Sequence, residues 1–225
     1  MQFRSTSAII DLAALCHNLD EIRRRLPKGS YLCPMIKANA YGHGVGPVAR
    51  ELERSGVRAV GVSLLEEAIE LRETGFSHDI LIFGLLKEGL REIEHFKLTP
   101  VVSHASTLEM LKGASTPIDI HLKFNTGMNR LGFLPDEALG LVDRLKQIPA
   151  LQVRGILTHL HTGEDLAEAN GHSQSQLREF QKINQVFSEA SLLRHVWSTS
   201  SILSLETAAR QTDYGARPGL GLYGG

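Results

Sequence analysis

Short apolar stretches and longer amphipathic ones alternate along this 225-residue chain from one end to the other. The apolar stretches read as strands at residues 31–37, 59–63, 80–83, 99–103, 118–124, 152–159, 195–199 and 213–220. They are apolar on both faces, as parallel strands covered from both sides require. Helical periodicity fills the intervals 46–55, 64–74, 87–96, 106–112, 135–147, 174–190 and 200–209. Glu66, Glu67, Glu70 and Glu73 interleave with Ala68, Ile69 and Leu71, giving one charged and one apolar face. Pro135 stands where a first helical turn tolerates proline. Parallel strands need crossover connections, so the alternation dictates an α/β fold. Eight β/α units within roughly 200 residues point to a (β/α)8 TIM barrel at the compact end of its range. A Rossmann or flavodoxin-like sheet would use fewer strands, and no phosphate-loop fingerprint follows the first one.

One domain accommodates the whole chain, residues 1–225. A net charge of −1 gives no electrostatic reason to expect nucleic acid or an anionic membrane as partner. The run Arg23-Arg24-Arg25 is short enough to be a solvated helix face. Cys16 and Cys33 read as reduced thiols, no run of eighteen apolar residues spans a membrane, and Met1 to Ser5 lead into no signal-peptide core. The expectation is a cytoplasmic protein. Ahead of the first unit, residues 7–11 look like an additional strand, and Asp11 is a candidate cap for a helix over 12–26.

Active sites of such barrels form at the C-terminal strand ends. Lys37, Lys123, His159, Thr199 and Arg217 all fall at or near those ends. A lysine there, beside low-dielectric walls, is disfavoured in its charged form, which frees its amine for Schiff-base chemistry. Taken singly, each of these residues has an ordinary structural role; five aimed at one mouth do not.

The decad Met35-Ile36-Lys37-Ala38-Asn39-Ala40-Tyr41-Gly42-His43-Gly44 closely resembles the pyridoxal-phosphate lysine motif of the alanine racemase family. The run from His121 to Phe133 resembles a second family segment, and Leu157-Thr158-His159-Leu160 and Arg217-Pro218-Gly219-Leu220 resemble two more. The resemblance implies an amino-acid racemase interconverting L- and D-alanine and supplying D-alanine for peptidoglycan, with pyridoxal 5'-phosphate as cofactor. It implies that Lys37 is the catalytic, cofactor-bearing residue. Tyr41, Thr199, Gly219 and Leu220 would hold the phosphate. His159 would stack near the ring and hydrogen-bond Arg217, and Arg217 would face the pyridine nitrogen. Arg130 would take the substrate carboxylate, held by a carbamylated Lys123. Asn125 departs from the usual aspartate, and Ser198-Thr199 from the usual asparagine–serine, so Ser198 and Ser200 stand as substitutes for Thr199.

The family carries a C-terminal β domain that pairs with the leading strand and, in a homodimer, lends the partner subunit a tyrosine as second base. The resemblance covers the N-terminal part of such a protein, so the expected activity of this chain alone is low or none. Tyr214 and Tyr223 do not match that tyrosine's motif. Broad-specificity racemases share the scaffold, and a single-domain pyridoxal-phosphate carrier without racemase activity is the alternative. A metal-dependent hydrolase using His159, His161 and Lys123 is a poorer fit, because His161 lies where the strand is over.

Overall fold

The computed structural model describes residues 6–204 and 213–225. Its elements alternate as α1 (Leu12–Arg24), α2 (Lys37–Tyr41), α3 (Val45–Arg54), β1 (Ala59–Val62), α4 (Leu65–Glu73), β2 (Asp79–Ile82), α5 (Leu90–Phe96), β3 (Thr99–Val102), α6 (Ala105–Leu111), β4 (Ile118–Lys123), α7 (Ala138–Lys146), β5 (Leu151–Leu157), α8 (His172–Val186), β6 (Leu193–Trp197), α9 (Thr199–Leu203) and β7 (Gly215–Ala216). All seven strands form one parallel sheet in chain order, each hydrogen-bonded to the next. The registers include Val60 with Ile80 and Val101 with His121. A helix returns the chain after nearly every strand, the connection that parallel neighbours require.

The regular sheet has seven strands where eight were expected. Residues 31–36 make only isolated bridges, Leu32 with Ala216 and Met35 with Gly61. Their backbone is nonetheless bonded on both sides: Cys33 N donates to Ala216 O at 2.9 Å, and Ile36 N to Gly61 O at 2.9 Å. Pro34 has no N–H to give, which interrupts the ladder between these contacts. The expected leading strand over 7–11 does not form, and Ile9 is 91% exposed. An isolated extended segment with no edge to pair with gains no ladder hydrogen bonds. Asp11 does cap α1, its Oδ1 accepting from Ala13 N and Ala14 N at 2.8 and 3.1 Å. The helix expected over 135–147 opens with a 3-10 turn at Pro135–Glu137 before α7. Residues 205–209 of the helix expected over 200–209 lie outside the described residues.

Two apolar layers hold the assembly. The larger lies between sheet and helices and includes Leu19, Leu52, Leu71, Ile93, Phe180 and Ile183, each at most 1% exposed. The smaller gathers Cys33, Ala59, Leu81, Val101 and Leu157 on the inner side of the curled sheet. Fully burying side chains of this size is worth about 1.5–3 kcal/mol each, so both layers outweigh any local propensity. Among the described residues no helix is long and apolar enough to cross a membrane.

Candidate active site

The inner layer ends below a cavity of about 720 Å³ at the C-terminal strand ends. All nine residues expected at the site line it: Lys37, Tyr41, Lys123, Arg130, His159, Thr199, Arg217, Gly219 and Leu220. They come from five separate strand exits, and the curl of the sheet brings them together. Lys37 is the first residue of α2, not the last of a strand, and is half-buried rather than enclosed. Its amine lies 6.0 Å from the centre of the Tyr41 ring.

The wall is strongly cationic. Among the described residues, Lys37, Lys123, Arg130 and Arg217 line it against a single acid, Glu164. Lys123 is 6% exposed. Burial, then Arg130 and Arg217, hold its amine down at about 8. His159 is pushed down to about 3 by burial and by the surrounding cations, Arg217 first, and so is a neutral ring at pH 7. Four cations with one counter-charge favour a ligand carrying more than one negative group.

One end of the cavity is a ring of donors. Thr199 Oγ1 accepts from Gly219 N at 3.0 Å and Gly221 N at 3.2 Å. The Tyr41 hydroxyl sits so close to Gly219 that a Cβ there would lie 2.7 Å from it. Glycine is therefore a steric requirement of the cradle. Tyr223 backs Tyr41, ring centres 5.0 Å apart, and its hydroxyl donates to Met35 O at 3.1 Å.

Arg217 is buried at 5% exposure, and both terminal nitrogens of its guanidinium are bonded from below. It donates to Thr158 O at 2.7 Å, Val196 O at 3.2 Å, His195 O and, at 3.0 Å, His195 Nδ1. Among the described residues its histidine partner is thus His195 and not the expected His159. Arginine only donates, so His195 Nδ1 carries no proton and Nε2 does. That Nε2–H donates to His121 Nδ1 at 2.7 Å. Burial, then Arg217, hold His121 down at about 3 and His195 well below the ordinary histidine range. A glycine seats this pair: a Cβ on Gly155 would lie 2.5 Å from His121 Nδ1.

Sequence reasoning assigns no role to His195, His121 or Gln176. The histidines stand at the start or middle of apolar strands, and nothing in sequence spacing shows that two strands turn them toward each other. Gln176, 3% exposed on α8, donates to His159 O at 3.0 Å and accepts from His161 N at 2.8 Å. Its amide also reaches Thr126 Oγ1 at 3.4 Å, joining the His159 strand exit to the loop that carries Arg130. Asn125 shapes that loop, accepting from Gly127 N and Asn129 N at 3.2 and 2.9 Å. Gln176→Leu keeps the volume but strands a buried carbonyl and N–H. It is expected to cost about 1–3 kcal/mol in urea unfolding, and an unchanged midpoint would refute the clamp.

Comparison with known proteins decides the family. The model of the alanine racemase N-terminal domain matches residues 10–225. The chain belongs to the alanine racemase family. It is 35% identical over 235 residues to the alanine racemase of Sorangium cellulosum, covering 98% of this chain and 61% of that one. It is 38% identical over 226 residues to that of Nitrosomonas europaea, covering 98% and 60%. The alanine racemase structure from Clostridium difficile 630 superposes with a TM-score of 0.84 at 27% identity, covering 97% of this chain and 59% of the other. The chain thus spans about three-fifths of the length of these relatives. Among the described residues no three metal-ligating side chains converge.

Proposed function

We propose that this chain is the pyridoxal-phosphate-binding barrel of an alanine racemase, with residues 31–36 as the eighth, closing strand. The observation that carries the reading is the cavity itself: one half-buried lysine between a phosphate-sized donor ring and a cationic wall. Tyr41, Thr199, Gly219 and Leu220 would hold the phosphate, and Lys37 would hold the aldehyde carbon. Pyridoxal phosphate, when bound, supplies the electron sink that makes the amino acid's Cα–H acidic. Arg130 orients the substrate through its carboxylate. Once displaced from the aldehyde carbon by the substrate's amine, the free Lys37 amine would accept the Cα proton on its own face. His159, neutral, would pack against the ring without adding charge. Arg217 would face the ring nitrogen and has no proton to give up at pH 7, because burial lowers it only to about 10. It would leave that nitrogen unprotonated, which favours racemisation over transamination.

Inversion needs a second base on the opposite face. Tyr214 is bonded to Asn184 Nδ2 at 2.9 Å and Tyr223 to Met35 O, so both phenols are engaged elsewhere. The reading therefore takes that base, as the family does, from another domain in a homodimer. The deciding experiment is borohydride reduction of the chain with pyridoxal phosphate, followed by mass mapping. A single pyridoxyl group on Lys37 is expected. Label scattered over surface lysines such as Lys28 and Lys87 would sink the reading.

Lys123 gives a second expectation. Its amine is charged when unfolded up to about 10.5 and charged when folded only below about 8. Folding is therefore penalised below pH 8, and stability rises with pH between about 8 and 10.5. Carbamylation would replace the repelled cation beside Arg130 by an anion. In CO2-free buffer the wild type should gain stability across that window, and Lys123→Met should not. Bicarbonate at pH 8.5 should raise the melting temperature of the wild type only; an equal rise in both proteins would rule carbamylation out.

A further inference from the structure

The turn that carries the site lysine is built against its own preference. Ala38, Asn39, Ala40 and Tyr41 have φ of 50°, 53°, 54° and 53°, and none is a glycine. Left-handed backbone costs an L-residue roughly 1–2 kcal/mol, and it occurs as single residues far more often than as a run. Four in succession persist only where surrounding contacts over-determine them. One anchor is Asn39, whose Oδ1 accepts from Val45 N at 2.7 Å. The other comes from α4. Glu67 Oε1 accepts from Ala38 N at 2.6 Å, while Oε2 accepts from Ser63 N at 2.8 Å and Leu64 N at 3.0 Å.

We propose that Glu67 is a positioning residue for Lys37 and Tyr41, its carboxylate tying their left-handed turn to the exit of β1. The inference rests on the reading of Lys37 as the pyridoxal-phosphate lysine. Three N–H groups from two connections converge on one carboxylate. An acceptor-only group with two oxygens satisfies all three; an amide would aim its own NH2 at one of them. Glu67 is also the N3 residue of α4, where a glutamate ordinarily reaches back to its own N-cap. That role accounts for Leu64 and leaves the bond to Ala38, 29 residues earlier in the chain, unexplained. The second oxygen is what fixes the direction in which Lys37 leaves the backbone. Freed from it, the turn relaxes toward right-handed conformations and carries the amine and the Tyr41 hydroxyl away from the Gly219 cradle.

The test compares Glu67→Gln, Glu67→Asp and Asp11→Ala with the wild type. Asp11→Ala removes another helix cap, whose partners Ala13 and Ala14 do not line the cavity. Each protein is mixed with pyridoxal phosphate, quenched with borohydride at intervals, and the pyridoxyl group on Lys37 is counted by mass; thermal unfolding is recorded alongside. Glu67→Gln should label Lys37 about tenfold or more slowly, the scale expected when a reacting group is misplaced by an ångström or less. Glu67→Asp keeps the charge but is one methylene short of Ala38, and should be slowed as well. Asp11→Ala should lose stability and label at the wild-type rate. Wild-type labelling rates in both Glu67 variants overturn the positioning role, whatever their stability. Failure of the wild type to label Lys37 selectively overturns the lysine reading and this inference with it.

Discussion

Lys37→Ala is expected to leave no pyridoxyl group on the peptide spanning residues 31–44. In an assembly that racemises alanine, it should lower the rate about a thousandfold or more, since both the covalent attachment and one base disappear. The same substitution should leave the fold intact. The Lys37 amine makes no hydrogen bond among the described residues, and its contact with the Tyr41 ring is distant at 6.0 Å. Removing one of four cations from the wall also relieves repulsion, an effect kept small by the half-exposed position of the side chain. The unfolding free energy should therefore stay within about 0.5 kcal/mol of the wild type, the usual range for a surface change. Chemistry lost with stability kept is the signature of a site residue. If Lys37→Ala unfolds much more readily, the lysine is structural and its place in the cavity is incidental.

Much of the site is legible in the chain because its residues stand at strand ends, and strand ends are where periodicity breaks. Lys123, His159, Thr199 and Arg217 each follow an apolar run, and all of them reach the cavity. Two features escape that logic. The handedness of the turn at Ala38–Tyr41 is invisible, because left-handed backbone is ordinarily announced by glycine and these positions hold alanine, asparagine and tyrosine. The pairing of Arg217 with His195 is hidden too, because a curled sheet decides which of several histidines lies beneath the guanidinium. His159 is the better guess from sequence, being at a strand end, yet the supporting contact comes from within β6. The leading segment at 7–11 pairs with no strand among the described residues: a strand is a relation between two segments, and the apolar pair Ile9-Ile10 does not make one alone. Residues 31–36 are apolar and bonded on both sides, and the missing N–H groups of Pro34 and Pro218 break the ladder toward β1 and toward β7.

Arg217→Met should be strongly destabilising and should alter how stability depends on pH. The guanidinium is a buried cation without a carboxylate partner among the described residues, so burial alone argues for its removal. Against this stand the carbonyls of Thr158, His195 and Val196 and the His195 ring, all bonded to it. Methionine fills the volume and answers none of them. Orphaned buried acceptors cost about 1–3 kcal/mol apiece, and hydrogen bonds to a charged donor are the stronger kind, so a net loss of about 3–5 kcal/mol at pH 7 is expected. The histidines beneath add the pH term. His121 is held at about 3 when folded against 6.5 unfolded, and His195 is depressed as well. Their stabilising contribution is complete above pH 6.5 and is lost as pH falls toward 3. The slope is at most about 1.4 kcal/mol per pH unit for each ring. Arg217 is the second cause of both depressions, after burial, so its loss lets the rings accept protons at higher pH in the folded state and flattens the slope. The gap between wild type and Arg217→Met in urea unfolding should therefore narrow between pH 7 and pH 4. A gap that stays constant would mean that the arginine and the two histidines titrate independently, and that the 2.7 Å contact between His195 and His121 carries no charge information down from the cavity.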